Sequence, residues 1–163
     1  MEDTLDLLTQ ALMYSFINDA SNMSGNLILE TNNGEQVLLY EILSTGPKLI
    51  LYYSGRGCSK CFENELNAIS SRSYPVSFNN LIIMITGIHY RAFKSFGENL
   101  NPDMQIFLID DELENTSMDI NQTSPCLFIL APDERITHFY SIYGLPQNIT
   151  YNYFKIINKR YFD

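Results

Sequence analysis

Apolar and polar positions along the chain fall into blocks whose period changes. From Thr4 to Asn18, Leu5, Leu8, Leu12 and Phe16 recur at steps of three and four. That spacing predicts an amphipathic helix, with Asp3 or Thr4 as its cap. Ser21 to Asn26 is small and polar and reads as a loop. Leu27 to Leu29 predicts a strand, Asn32-Asn33-Gly34 a turn, and Gln36 to Leu39 the returning arm of a hairpin. Glu41 to Pro47 leads into an apolar run, Leu49 to Tyr53, which reads as a buried strand. Two glycines between Ser54 and Gly57 break it. Phe62, Leu66 and Ile69 then recur at helical spacing to about Ser71, and Arg72 to Asn80 is a loop. Leu81 to Ile85 is a second continuous apolar run, the pattern of a strand buried on both faces.

Tyr90 to Leu100 predicts a short helix with Phe93, Phe96 and Leu100 on one face. Met104 to Ile109 is a strand stopped by Asp110-Asp111. Glu112 to Asp119 reads as an acidic short helix or turn, and Thr123-Ser124-Pro125 as a break. Cys126 to Leu130 is a strand, Pro132-Asp133-Glu134 a turn, and Arg135 to Tyr140 the strand that pairs back. Pro146 suits the first turn of a last helix, which runs to about Tyr161 with Ile149, Tyr153 and Ile156 inward. Strands alternating with helices predict an α/β fold with a parallel core sheet, to which the last hairpin adds antiparallel strands.

The length of 163 residues suits one domain with its own core. Residues 1–26 form an N-terminal extension in this reading, and 27–161 the core. Ten basic residues stand against nineteen acidic ones, a net charge of −9. Such a surface repels phosphate backbones and anionic lipid, so nucleic acid and membrane surfaces are not expected partners. No apolar run reaches the ~18 residues of a membrane span. The start, Met-Glu-Asp-Thr-Leu-Asp, lacks the basic-then-apolar pattern of a secretory signal. The expectation is a cytoplasmic protein, or a periplasmic or cell-envelope one if a signal has been removed. Asn22, Asn115, Asn121 and Asn148 each open an Asn-x-Ser/Thr triplet; in a chain this rich in asparagine they read as chance matches.

The chemistry concentrates at Cys58-Ser59-Lys60-Cys61, where the buried strand ends and a helix begins. A helix start carries free N–H groups and partial positive charge, which favour a thiolate, the reactive form of cysteine. Cys58 takes the position of a nucleophile. Cys61, one turn in, is expected to be more buried and within reach of a disulfide with Cys58. Arg56 and Lys60 add positive charge. A Cys-x-x-Cys after a strand in an α/β chain points to a dithiol redox site. Three plainer readings stand beside it: half of a zinc site, an inert disulfide, or two buried thiols. Structural zinc wants four ligands, and the remaining candidates, Cys126, His89 and His138, have no paired spacing.

These segments, in this order, resemble the thioredoxin superfamily, and within it the redoxin branch of TlpA-like thiol-disulfide oxidoreductases. Leu27-Ile28-Leu29-Glu30, the Asn33-Gly34 turn and Val37-Leu38 resemble that branch's opening hairpin, and Leu49 to Cys61 its strand and active-site motif. Met118-Asp119-Ile120 through Thr123-Ser124-Pro125, then Leu127 to Asp133, resembles its segment around a conserved-type proline. The resemblance implies a three-layer α/β/α sandwich with a central mixed sheet, extended by the N-terminal helix and hairpin. It implies Cys58 and Cys61 as catalytic residues, supported by Ser59 and Lys60. It further implies a cis bond before Pro125, so that Thr123, Ser124 and Pro125 face an extended substrate segment. It calls for no cofactor beyond the redox-active disulfide. Its partners are protein thiol or disulfide substrates and a redox partner protein.

Several positions depart from the family pattern. Gly57 stands where thioredoxins usually carry tryptophan, Ser59-Lys60 replaces Gly-Pro, and Tyr52 occupies the place of the buried acid. The carboxylate often found three residues after the second cysteine is Asn64 here, leaving Glu65 as the candidate proton acceptor or else a solvated helix residue. Cys126 reads as a small buried residue, with a third redox thiol as the alternative. His138 reads as a hairpin face residue and His89 as part of a loop. Two other functions compete: a thioredoxin-fold binding module with structural cysteines, and a thiol peroxidase. The peroxidase pattern Pro-x-x-x-Thr/Ser-x-x-Cys is missing, since Leu51 and Gly55 stand seven and three residues before Cys58.

Overall fold

The computed structural model describes residues 21–55, 57–109, 125–142 and 145–163. Its strands are β1 (Ile28–Glu30), β2 (Gln36–Leu38), β3 (Lys48–Ser54), β4 (Leu81–Thr86), β5 (Gln105–Ile109), β6 (Cys126–Leu130) and β7 (Ile136–Ser141). Its helices are α1 (Leu39–Leu43), α2 (Ser59–Ser70), α3 (Tyr90–Glu98) and α4 (Gln147–Tyr161), with a 3-10 turn at Phe78–Asn80. The expected helix over Thr4 to Asn18 and the acidic segment Glu112 to Asp119 lie outside the described residues.

The strands form one mixed sheet in the order β2-β1-β5-β4-β3-β6-β7. β3 runs parallel to β4, and β4 to β5, while β6 is antiparallel to β3 and β7 to β6. All seven residues of β3 and all six of β4 are buried, which explains why both read as unbroken apolar runs. Alternation along β3 splits the core. Leu49, Leu51 and Tyr53 face α2, α3 and α4, with Phe62, Leu66, Phe93, Phe154 and Ile157. Ile50 and Tyr52 face Met23, Leu39 and Leu43 on the other side. The sheet therefore lies between two layers.

Two elements differ from the sequence reading. Glu41 to Pro47 is not all connection, because Leu39 and Leu43 bury one side of a short helix, α1. α4 turns its fully buried side through Thr150, Phe154 and Ile157. Of the expected Ile149, Tyr153 and Ile156, Tyr153 does pack against the core, stacked on Tyr140 at 4.7 Å, while Ile156 faces outward. Pro146 precedes that helix as its N-cap residue. Ile156 is 62% exposed. The apolar pattern misled because an inward polar residue fits: Thr150 Oγ1 and Tyr140 Oη are hydrogen-bonded at 3.1 Å.

Candidate active site

The site sits where β3 stops. The N–H of Gly55 donates to the carbonyl of Thr86 at 2.7 Å, tying the chain to the end of β4. A Cβ at Gly55 would lie 2.5 Å from Ile88 Cγ2 and 2.6 Å from the Gly87 carbonyl oxygen, so only glycine fits this approach. The N–H of Gly57 turns back to the carbonyl of Ser54 at 2.9 Å. Tyr53, the last aromatic of β3, donates its hydroxyl to the carbonyl of Gly57 at 3.3 Å. Its ring stacks on Phe62 of α2 at 4.3 Å, and Phe62 meets Phe96 of α3 edge-on at 5.8 Å. Strand, loop and helix are thus fastened together around the cysteines.

Cys58 is the N-cap of α2, with extended backbone (φ −70°, ψ 98°). Its Sγ accepts a hydrogen bond from the N–H of Cys61 at 3.2 Å, and its carbonyl accepts from the N–H of Phe62 at 3.2 Å. A sulfur therefore takes the role of a capping oxygen at a helix start. Cys58 and Cys61 form a disulfide with Cα atoms 5.3 Å apart. Both are partly buried, where Cys61 was expected to be the more hidden, and Ser59 and Lys60 are exposed beside them. Arg56 lies outside the described residues.

The register Tyr52↔Cys126 brings Pro125 to the same end of the sheet as the cysteines. Pro125 is buried, and its carbonyl accepts from the N–H of Ile142 at 3.0 Å. Thr123, Ser124 and the bond joining Ser124 to Pro125 lie outside the described residues, as does the expected cis geometry. Cys126 is fully buried, and burial pushes its thiol far above the usual range, the state of a packing residue. His138 sits in β7 at a bulge, with left-handed backbone (φ 55°) and its ring edge-on to Tyr161.

Glu65 is not a solvated helix residue. It is 9% exposed and sits on α2 four residues after Cys61, hence on the same side of the helix. Burial raises its carboxyl above the usual range, and the nearby Tyr74 hydroxyl pulls it partly back. Periodicity could not have found Tyr74, which lies in the loop after α2. Asn64, at the family's usual carboxylate position, is exposed. Among the described residues no group of three or more His, Cys, Asp or Glu could hold a metal ion, and no helix is long and apolar enough to cross a membrane.

With this geometry, the chain has a thioredoxin-like α/β fold carrying a Cys-x-x-Cys disulfide at a helix start. No protein-family model matches the chain. No curated protein matches it either. Solved structures do. A secreted Mycobacterium tuberculosis disulfide oxidoreductase homologous to E. coli DsbE is similar over 80% of this chain and 96% of its own, with TM-score 0.54 and 13% identity. PrxQ from Xylella fastidiosa, solved as a mutant, is similar over 88% and 98%, with TM-score 0.59 and 12% identity. Yeast Sco1 with copper bound is similar over 85% and 92%, with TM-score 0.54 and 14% identity. At such identities the shared property is the fold. These neighbours include a disulfide oxidoreductase and a protein solved with copper bound.

Proposed function

We propose that this protein is a thiol-disulfide oxidoreductase acting on protein substrates through Cys58 and Cys61. The observation that carries the reading is the Cys58–Cys61 disulfide capping α2 at the end of the central strand. In the reduced protein the Cys58 thiolate attacks one sulfur of a substrate disulfide. A Cys58–substrate bond forms, and the second substrate sulfur leaves as a thiolate. Cys61, having given up its proton, then attacks Cys58 Sγ. The intramolecular disulfide reforms and the first substrate sulfur leaves. The substrate gains two electrons and the protein loses two; run backward, the same steps oxidise a substrate dithiol.

Roles follow from position. The start of α2, with Ser59 and Lys60, favours the Cys58 thiolate. Glu65, one turn from Cys61, accepts the Cys61 proton. Thr123, Ser124 and Pro125 are assigned to an extended substrate segment by the family resemblance alone. No cofactor is needed beyond the cysteine pair.

The test uses a peptide carrying one disulfide. Cys61→Ser accumulates a covalent mixed disulfide through Cys58, and Cys58→Ser forms none. The binding-module reading gives no adduct in either variant and unchanged peptide affinity. Cys58-dependent turnover of hydrogen peroxide would favour the peroxidase reading instead.

A further inference from the structure

Two buried polar atoms lie without a standard hydrogen bond: Oε2 of Glu65, one turn after Cys61 on α2, and Oη of Tyr74 in the loop after that helix. Tyr74 is 4% exposed, its ring stacked on Phe154 of α4 at 4.5 Å. That stack fixes the ring and leaves the hydroxyl facing Glu65. The two groups are close enough for each to act on the other's charge, yet the geometry falls short of an ordinary hydrogen bond. An orphaned buried pair like this costs stability unless one of its states makes the bond.

The ionised state of Glu65 is that state. A carboxylate accepts shorter and stronger hydrogen bonds than a neutral carboxyl. Tyr74 is held protonated by burial and by the Glu65 charge, so toward a carboxylate its hydroxyl donates. Two other polar groups adjoin the pair. Tyr140 of β7 feels the Glu65 charge but shares its own hydroxyl with Thr150, and Gln147 of α4 approaches Tyr74. Among the described residues no lysine, arginine or histidine shifts the Glu65 or Tyr74 group.

We propose that Tyr74 is a positioning residue for the cysteine pair: its hydroxyl closes onto Glu65 when Glu65 takes the anionic form, keeping that carboxyl usable as the proton acceptor for Cys61. This rests on the oxidoreductase reading. Burial alone favours the neutral form of Glu65, which cannot accept a proton. The phenol opposes burial by offering the carboxylate a donor. It does so without adding a charge.

Tyr74→Phe removes only the hydroxyl and keeps the ring stack. The experiment follows the Glu65 side-chain carboxyl by carbon-13 NMR across pH in the oxidised protein, with Tyr74→Phe beside the unsubstituted chain. In the reduced proteins it follows the pH dependence of Cys61 attack on a preformed Cys58 mixed disulfide. The expected result is an upward shift of the Glu65 midpoint by roughly one unit, the size of a hydrogen bond to a charged group. The pH profile of the resolving step moves upward by the same amount. In a Glu65→Gln background, Tyr74→Phe then leaves that profile unchanged. An unmoved or lowered Glu65 midpoint overturns the inference while exchange continues. A shifted midpoint with an unmoved profile overturns it too, since the pair is then coupled but not used. A protein whose cysteines never exchange overturns the oxidoreductase reading and the positioning role resting on it, and the carboxyl titration still reports the coupling separately.

Discussion

The N–H of Cys61 donates to Sγ of Cys58 at 3.2 Å, so the atom that closes the disulfide also caps the helix. One relationship joins fold to chemistry here. The apolar run of β3 delivers the chain to this point, and the Gly55–Thr86 hydrogen bond holds it. The N–H groups at the start of α2 meet the Cys58 sulfur.

The approach at Gly55 gives the first prediction. Gly55→Ala places a methyl group against Gly87 backbone and Ile88, and backbone cannot yield cheaply. Urea denaturation should show a loss of about 1–3 kcal/mol. Exchange should slow as well, because the same loop carries Cys58. Unchanged stability would mean that the β4 end is not held as described.

Tyr53→Phe tests the fastening of the loop from another direction. The variant keeps the ring stack on Phe62 and loses only the bond to the Gly57 carbonyl. It should cost about 0.5–1.5 kcal/mol. The resolving step should slow by more than stability alone explains. Phe62→Ala, which removes the stack itself, should cost about 3–5 kcal/mol.

The register of α4 can be checked directly. Phe154→Ala should destabilise by about 3–5 kcal/mol, because Phe154 is buried against Tyr74 and the sheet. Ile156→Ala should change stability by no more than about 0.5 kcal/mol, since Ile156 faces solvent. The reverse ranking would restore the register expected from the sequence.

Glu65 gives a pH dependence of defined sign. Its carboxyl is raised in the folded protein, first by burial, from an ordinary value of 4.5. The folded state therefore holds the proton more tightly than the unfolded state. That contribution to stability is fully present below the ordinary value and is lost as pH rises through the raised one. Glu65→Gln should remove this loss, so the two stability curves converge at low pH and separate above. Parallel curves from pH 4 to 8 would show that Glu65 is not buried as described.

Much of this was legible because period reports burial. The unbroken runs in β3 and β4 announced central strands, and the Asn33-Gly34 turn, with Gly34 at φ 78°, announced the opening hairpin. The Cys-x-x-Cys spacing after β3 gave the disulfide and its place at a helix start. What stayed hidden depends on contacts between distant segments. Glu65 looked solvated because a charged residue on a helix usually is; its burial comes from tertiary packing that helical spacing does not report. Thr150 sits inward because Tyr140 offers it a partner, and no rule of apolar spacing contains that information.

The most direct test is the reduction potential of the Cys58–Cys61 pair, read by glutathione titration, alkylation and mass. The account predicts a reversible two-electron couple within the oxidoreductase range, about −270 to −120 mV. A value near the lower end supports a reductase, and one near the upper end supports an oxidant of substrate dithiols. A pair that does not cycle reversibly with glutathione would contradict it.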